Sequence, residues 1–87
     1  MSTEDLIRQH LAVLEPETYT LEDESAQHKG HAGAASGGGH FRLTLVSPKF
    51  RDLSTLARHR LVYEAMGELM QREIHALSIT ALTPEEL

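Results

Sequence analysis

Two histidines, His28 and His75, are the residues of this 87-residue chain whose type and position are best suited to chemistry. His28 precedes a glycine-rich stretch that could bring it to a ligand, and His75 begins an apolar, strand-like run that extends to Ile79. Imidazole nitrogen binds zinc, copper and iron. The chain has six histidines and no cysteine, so any soft-metal chemistry must use nitrogen ligands or take sulfur from a partner.

The other histidines offer alternative ligand sets. His31 rivals His28, because a glycine-rich loop does not fix which imidazole reaches a metal. A zinc site could also combine His28 and His31 with either His40 or His75, although the chain lacks a paired-cysteine framework. We interpret His10, on an apolar helix face, and His40, at the start of a strand, as structural.

The sequence shows no motif of an enzyme. No serine lies in a nucleophile elbow, and Gly37-Gly38-Gly39 lacks the lysine and hydroxyl residue of a phosphate-binding loop. The acidic residues show no spacing that indicates general acid-base catalysis, and a domain of this length has no room for a deep substrate cavity. We therefore expect no catalysis and no small-molecule substrate.

Charge is distributed unevenly along the chain. The formal net charge of −5 disfavours non-specific binding of nucleic acid by the whole domain. Residues 41–72, however, hold six basic residues against three acids. No apolar run approaches the roughly 20 residues that cross a bilayer, and the first residues lack the basic-then-apolar pattern of a secretory signal. We therefore expect no membrane contact and a cytoplasmic location, with which the absence of cysteine agrees.

The apolar pattern predicts an α+β fold of order αββααβα, as one domain over residues 1–87. Helical spacing begins after Ser2 or Thr3, either of which can cap the helix, and ends before Pro16. Two strands follow, over residues 18–22 and 41–46. They are predicted to form a hairpin whose tip is a mobile glycine-rich loop, residues 26–39.

The second half of the chain predicts a helical turn capped by Ser54 that continues into a longer helix. The stripe expected to face the sheet consists of Ala57, Leu61, Ala65 and Leu69, flanked by Val62, Met66 and Met70. A third strand then places alternate residues on one face, namely His75, Leu77, Ile79 and Ala81. The segment Thr83-Pro84-Glu85-Glu86 indicates the start of a final helix, with an N-cap, a proline at the first helical position and a capping-box glutamate.

Several blocks of the sequence together resemble the BolA family. They are Glu24-Ser25-Ala26-Gln27-His28, His40-Phe41-Arg42-Leu43, Val46-Ser47, Phe50, Arg58-His59-Arg60-Leu61-Val62-Tyr63 and Ile74-His75-Ala76-Leu77-Ser78. The resemblance covers nearly the whole chain. It implies an αββααβα fold similar to a type II KH domain, with a three-stranded mixed sheet packed on one side by helices and a helix-turn-helix segment.

The resemblance implies a shared metal centre. BolA proteins pair with monothiol glutaredoxins around a [2Fe-2S] cluster, for which glutaredoxin cysteine and glutathione give the thiolates. By motif position, the BolA ligands correspond to His75 and to His28, in a loop where some relatives carry cysteine. Imidazoles in place of two thiolates are known for such clusters. Because two histidines cannot hold a cluster alone, no cofactor is expected in the isolated chain.

The resemblance also implies an alternative function, DNA binding and transcriptional regulation through the helix-turn-helix region. The side chains that would contact phosphate are Lys49, Arg51, Arg58 and Arg60. KH domains hold the nucleic-acid backbone with a Gly-x-x-Gly loop, whereas this turn has Asp52 where many relatives have glycine. The block around His59 could equally serve the fold or the docking of a glutaredoxin.

Overall fold

The computed structural model describes residues 2–24 and 39–87. The helices are α1 (Thr3–Leu11), α2 (Thr55–Met66) and α3 (Leu69–Arg72), and the strands are β1 (Thr18–Asp23), β2 (Gly39–Val46) and β3 (Ile74–Leu82). Single 3-10 turns cover Ala12–Leu14, Pro48–Phe50 and Pro84–Glu86. The predicted loop 26–39, with His28 and His31, falls outside the described residues except for Gly39, which begins β2.

The three strands form one mixed sheet of order β1-β2-β3. β1 pairs with β2 antiparallel, as the predicted hairpin requires, and β2 pairs with β3 parallel. Alternate residues of β2 show why helices cover one face only: Phe41, Leu43 and Leu45 are buried, whereas Arg42 between them is exposed. The predicted α+β architecture with a three-stranded mixed sheet is therefore confirmed.

Helix α1 begins as the sequence predicts. Ser2 is the N-cap, and its hydroxyl accepts a hydrogen bond of 3.1 Å from the backbone N–H of Asp5. The Asp5 carboxylate in turn accepts from the backbone N–H of Ser2, which completes a capping box. Ile7 and Leu11 then point into the core, together with Leu14 of the following 3-10 turn.

The predicted longer helix is broken at Gly67. Its backbone has φ 54° and ψ −127°, a conformation open to glycine and costly for other residues. Helix α2 therefore ends at Met66, and the stripe that was predicted to continue to Leu69 does not run along one helix. Val62 and Met66, predicted to flank the stripe, are fully buried, whereas the predicted centre of the stripe, Ala57, Leu61 and Ala65, is half-buried.

The last predicted element is a single 3-10 turn, Pro84–Glu86, rather than an α-helix. Thr83 caps it, and the Glu86 side chain accepts a hydrogen bond from the Thr83 backbone N–H, so the predicted capping box is present. The expected helix-turn-helix region consists of the 3-10 turn Pro48–Phe50, the connection that contains Asp52, and α2. Within the described ranges no helix has the length and apolar character needed to span a membrane.

Candidate functional site

His40 and His75 lie beside each other near the start of two adjacent strands. Each is the second residue of its strand, β2 and β3, which run parallel. Their ring centroids are 4.9 Å apart, and the ring planes are inclined by 36°. His40 is half-buried and His75 is exposed. We refer to these two side chains as the imidazole pair.

A β-bulge brings His75 to this position. Gly39 pairs with Ile74, but the next residue, His40, pairs with Ala76, so His75 is the extra residue in β3. Simple alternation predicted His75 on the same face as Leu77. In the structure Leu77 is buried and His75 is exposed beside His40, so the predicted face of His75 is wrong. Bulges commonly redirect a side chain next to a functional site.

Backbone hydrogen bonds hold the two chain segments that lead into the imidazole pair. The Glu24 N–H donates to the His40 carbonyl at 2.7 Å, and the Gly39 N–H donates to the Glu73 carbonyl at 2.9 Å. An ion pair of 3.2 Å joins Arg42 to Glu24. Glu24 and Gly39, which border residues 25–38, are therefore both fixed next to the imidazole pair.

The described residues can supply part of a metal site but not a whole one. Across residues 2–24 and 39–87, no three His, Asp or Glu side chains are grouped closely enough to hold a metal ion. The exposed imidazole of His75 is nevertheless open to a partner surface. Because imidazole nitrogen binds zinc, copper and iron, His75 is a candidate metal ligand.

His10 has the structural role that the sequence predicted. Its Nδ1 lies 2.8 Å from the Ala65 carbonyl and donates a proton to it, since a carbonyl can only accept. The bond joins α1 to α2 near the end of α2. His40, which was also interpreted as structural, does lie at the start of a strand as predicted, but its ring contacts the candidate ligand His75.

Three of the four basic candidates for DNA binding have acidic partners. Lys49 lies 3.2 Å from Glu15. Arg51 binds Glu85 through two of its guanidinium nitrogens, Nε at 2.8 Å and Nη2, and this hydrogen bonding raises the pKa of Arg51. Arg58 binds Glu86. These cations are held by the fold and are less available to phosphate.

Arg58 is further engaged with the backbone. Its Nε donates to the Leu53 carbonyl at 3.0 Å, and its Nη1 donates to the Ala81 carbonyl at 3.0 Å. The side chain is only 13% exposed. Arg58 precedes Val62 and Met66 by four and eight residues, so it continues their buried row along α2. The fourth candidate, Arg60, is exposed and forms no ion pair with an acid among residues 2–24 and 39–87.

The contact between His40 and His75 was not predicted, because it joins two strands and does not follow from the pattern of either strand alone. The signal was available in the predicted sheet: if β2 and β3 pair in parallel, the residues that open both strands lie side by side. The bulge had no such signal. His75 is the extra residue, between the paired residues Ile74 and Ala76, and the types of these three residues do not mark a bulge in the sequence.

Comparisons with known proteins agree with this architecture. A profile of the family described as BolA-like protein matches residues 11–86. BolA-like protein 1 of Mus musculus is 45% identical over 73 residues, which are 84% of this chain and 51% of the mouse protein. The DNA-binding transcriptional regulator BolA of Haemophilus influenzae is 32% identical over 87 residues, which cover 99% of this chain and 82% of that protein.

Among solved structures, the BolA domain of SufE1 from Arabidopsis thaliana matches this chain with a TM-score of 0.87 and 40% sequence identity. The match covers 100% of this chain and 98% of that one. The chain spans about half the length of the mouse relative. The likeness therefore establishes the domain that this chain shares with its relatives.

Proposed function

The chain belongs to the BolA-like protein family, and on that premise we propose that it is an adaptor for a monothiol glutaredoxin. In this proposal the two proteins hold a bridging [2Fe-2S] cluster, for which glutaredoxin and glutathione supply thiolates and this chain supplies imidazole nitrogen. The role would be iron-sulfur cluster trafficking or iron regulation, without catalysis by this chain. Its location in the cytoplasm stays a prediction.

The observation that carries the proposal is the exposed imidazole of His75 at the bulge of β3. A ligand shared between two proteins must reach beyond the surface of its own protein, which a ring buried with Leu77 could not do. β3 is also an edge strand of the sheet, so a partner can approach it from the side that faces no other strand of the described residues. The exposure of His75 on this strand supports the proposal that it is an interface ligand.

His28 is the proposed second ligand, and it lies outside the described residues. Chain connectivity supports it. His28 follows Glu24 by four residues, and an extended chain covers at most roughly 14 Å in that number of residues. Because the Glu24 N–H is bonded to the His40 carbonyl, the chain leaves from a point next to the imidazole pair. His31 remains a rival, since it is only three residues further along.

The donor set fits the proposed cluster chemically. Histidine nitrogen replaces cysteine sulfur in some two-iron clusters, and the replacement raises the reduction potential. The chain has no cysteine and needs the partner for sulfur. Its own residues therefore have two tasks, which are to present neutral imidazole nitrogen to the interface and to hold it in one orientation.

Co-reconstitution with a monothiol glutaredoxin tests the proposal. Wild-type chain, glutaredoxin, glutathione, iron and sulfide should give a heterodimer that carries one [2Fe-2S] cluster, detected by native mass spectrometry and visible circular dichroism. His75→Ala should alter the heterodimer spectrum and weaken cluster retention, whereas the control His59→Ala on α2, which keeps every proposed ligand, should leave the spectrum unchanged. Absence of a cluster-bearing heterodimer with the wild-type chain contradicts the adaptor function, and an unchanged spectrum in His75→Ala contradicts the ligand assignment.

A second candidate function, DNA-binding regulation, is favoured by one relative, the Haemophilus influenzae protein described as a DNA-binding transcriptional regulator. In this chain Arg60 is the basic candidate that is exposed and forms no ion pair with an acid of the described residues. Asp52 lies nearby in the sequence with φ 64°. Glycine adopts this left-handed backbone conformation more easily than aspartate does. The Asp52 carboxylate would repel phosphate.

Duplex DNA binding at about 150 mM salt tests this candidate, because binding to a basic patch at low salt is uninformative. If the chain binds DNA, Arg60→Ala should reduce the salt dependence of the affinity by about one phosphate contact, and Asp52→Asn should strengthen binding. Asn tolerates the left-handed backbone, so the second variant removes charge without strain. Undetectable binding by the wild-type chain, or binding that neither variant changes, contradicts the candidate.

A further inference from the structure

We infer that His40 is a positioning residue for His75: its ring supports the imidazole of His75 and limits the directions in which the ligand nitrogens can point. The inference rests on the proposed function, because it concerns the same ligand. It assigns to His40 a role that requires its flat ring and does not require a bond from His40 to iron.

The two residues differ in how firmly they are held. His40 is half-buried in β2, the central strand, and its carbonyl accepts a hydrogen bond of 2.7 Å from Glu24. His75 is exposed in the edge strand β3, at the residue that interrupts the regular ladder. A side chain at an exposed bulge keeps much of its rotamer freedom unless a neighbour restricts it. The described neighbour with a ring contact to His75 is His40.

The geometry of the contact suits this task. The centroid distance of 4.9 Å lies in the range of favourable aromatic pairs, roughly 4.5–7 Å. Imidazole donates its lone pair in the plane of the ring, and the two ring planes are inclined by 36°. The contact can therefore restrict rotation of His75 about its side-chain bonds while His75 as a residue stays exposed. Ligands fixed in this way need less ordering when the partner binds.

The free chain allows a test that needs no cluster. With labelled histidine, NMR relaxation and three-bond couplings report how ordered the His75 side chain is, and ring-to-ring Overhauser contacts report its distance from His40. We expect one dominant His75 rotamer in the wild type and in His40→Phe, which keeps a flat ring. We expect averaged rotamers in His40→Ala. Backbone spectra of all variants show whether the sheet is intact, and His59→Ala is the control for loss of a histidine elsewhere.

The reconstituted heterodimer provides the second readout. Loss of the ring contact should speed cluster loss or weaken cluster retention about 2- to 12-fold in His40→Ala, the factor that corresponds to one aromatic pair. His40→Phe should restore retention to within about twofold of the wild type, because it keeps the aromatic contact. The circular dichroism band positions should stay those of the wild type in both variants, because the ligand atoms are unchanged.

Three results would overturn the inference. The first is a His75 side chain equally ordered in folded His40→Ala and the wild type. The second is a His40→Phe heterodimer that loses its cluster as readily as His40→Ala, since this would show that a nitrogen of His40 is needed. The third is a shifted band pattern in either variant. If the wild-type chain forms no cluster with glutaredoxin, the proposed function fails, and the NMR comparison still decides whether His40 orders His75.

Discussion

Arg58 and Glu86 join helix α2 to the last turn of the chain through two hydrogen bonds, Nη1 to Oε1 at 2.6 Å and Nη2 to Oε2 at 3.2 Å. The same guanidinium reaches the carbonyls of Leu53 and Ala81. One side chain therefore connects the turn before α2, the end of β3 and the final 3-10 turn. Through these hydrogen bonds Arg58, although it lies in a basic segment, stabilises the fold.

The stability of the fold should depend on pH through protonation of the Glu86 carboxylate. The hydrogen bonds from Arg58, followed by that from the Thr83 backbone, lower the pKa of Glu86 from 4.5 to about 2. The stabilisation is complete above the ordinary pKa and is lost as pH falls toward the lowered pKa. In Glu86→Gln, the unfolding free energy should therefore fall less steeply between about pH 4.5 and 2 than in the wild type. Urea unfolding across this range measures the slope.

The control for this prediction is Glu64→Gln, which makes the same chemical change at an exposed position of α2. If Glu86→Gln and the wild type lose stability with the same slope, the carboxylate of Glu86 does not stabilise the folded state. Arg58→Ala should flatten the slope only in part, since it removes the largest cause of the lowered pKa and leaves the hydrogen bond from the Thr83 N–H.

Ser47→Ala should destabilise the protein by about 1 to 3 kcal/mol. Ser47 is completely buried, and its hydroxyl donates to the Leu14 carbonyl and accepts from the Lys49 N–H. Alanine would leave two backbone groups without this partner in the interior. Thermal unfolding should show a fall of about 4–8 °C per kcal/mol for a domain of this size. Ser78→Ala on the exposed side of β3 is the control, and equal effects of the two changes would contradict the prediction.

Gly67→Ala should cost about 1 to 3 kcal/mol of unfolding free energy, because the backbone at Gly67 is unfavourable for a residue with a side chain. The positive φ of 54° is the cause. An added Cβ would meet only the Glu64 carbonyl at 3.9 Å, an ordinary contact. The control Glu68→Ala at the next position, which has φ −64°, should change stability by at most about 0.5 kcal/mol. If the Gly67→Ala variant proves as stable as this control, backbone strain at the turn is excluded.

The elements of the fold were predictable where local chemistry specifies them. The capping residues Ser2, Ser54 and Thr83 mark the starts of helical segments correctly, and alternation in β2 predicts the buried face. The break in the long helix was missed, because a glycine within a helical pattern is compatible with either continuation or termination. Only the positive φ at Gly67 distinguishes the two.

The candidate site was predictable in its main residue but not in its geometry. The resemblance to the BolA family implies that His75 is a metal ligand, and His75 is exposed in the structure. Its neighbour depends on the parallel register of β2 and β3 and on one extra residue in β3. Such long-range pairing is not encoded in the pattern of either strand alone. Likewise, Arg58 was predicted as a candidate phosphate contact, with a structural role left open, because its partners Ala81 and Glu86 are distant in sequence.

In the proposed glutaredoxin heterodimer, a ring nitrogen of His75 is bonded to the cluster. Pulsed electron paramagnetic resonance of the reduced heterodimer tests this bond most directly, with ¹⁵N-histidine in this chain and unlabelled glutaredoxin. Hyperfine couplings of directly bonded ¹⁵N are expected for the wild type and for His59→Ala, and His75→Ala should lose one of them. A wild-type heterodimer with no strongly coupled ¹⁵N, or a His75→Ala spectrum identical to the wild type, would contradict a bond between His75 and the cluster.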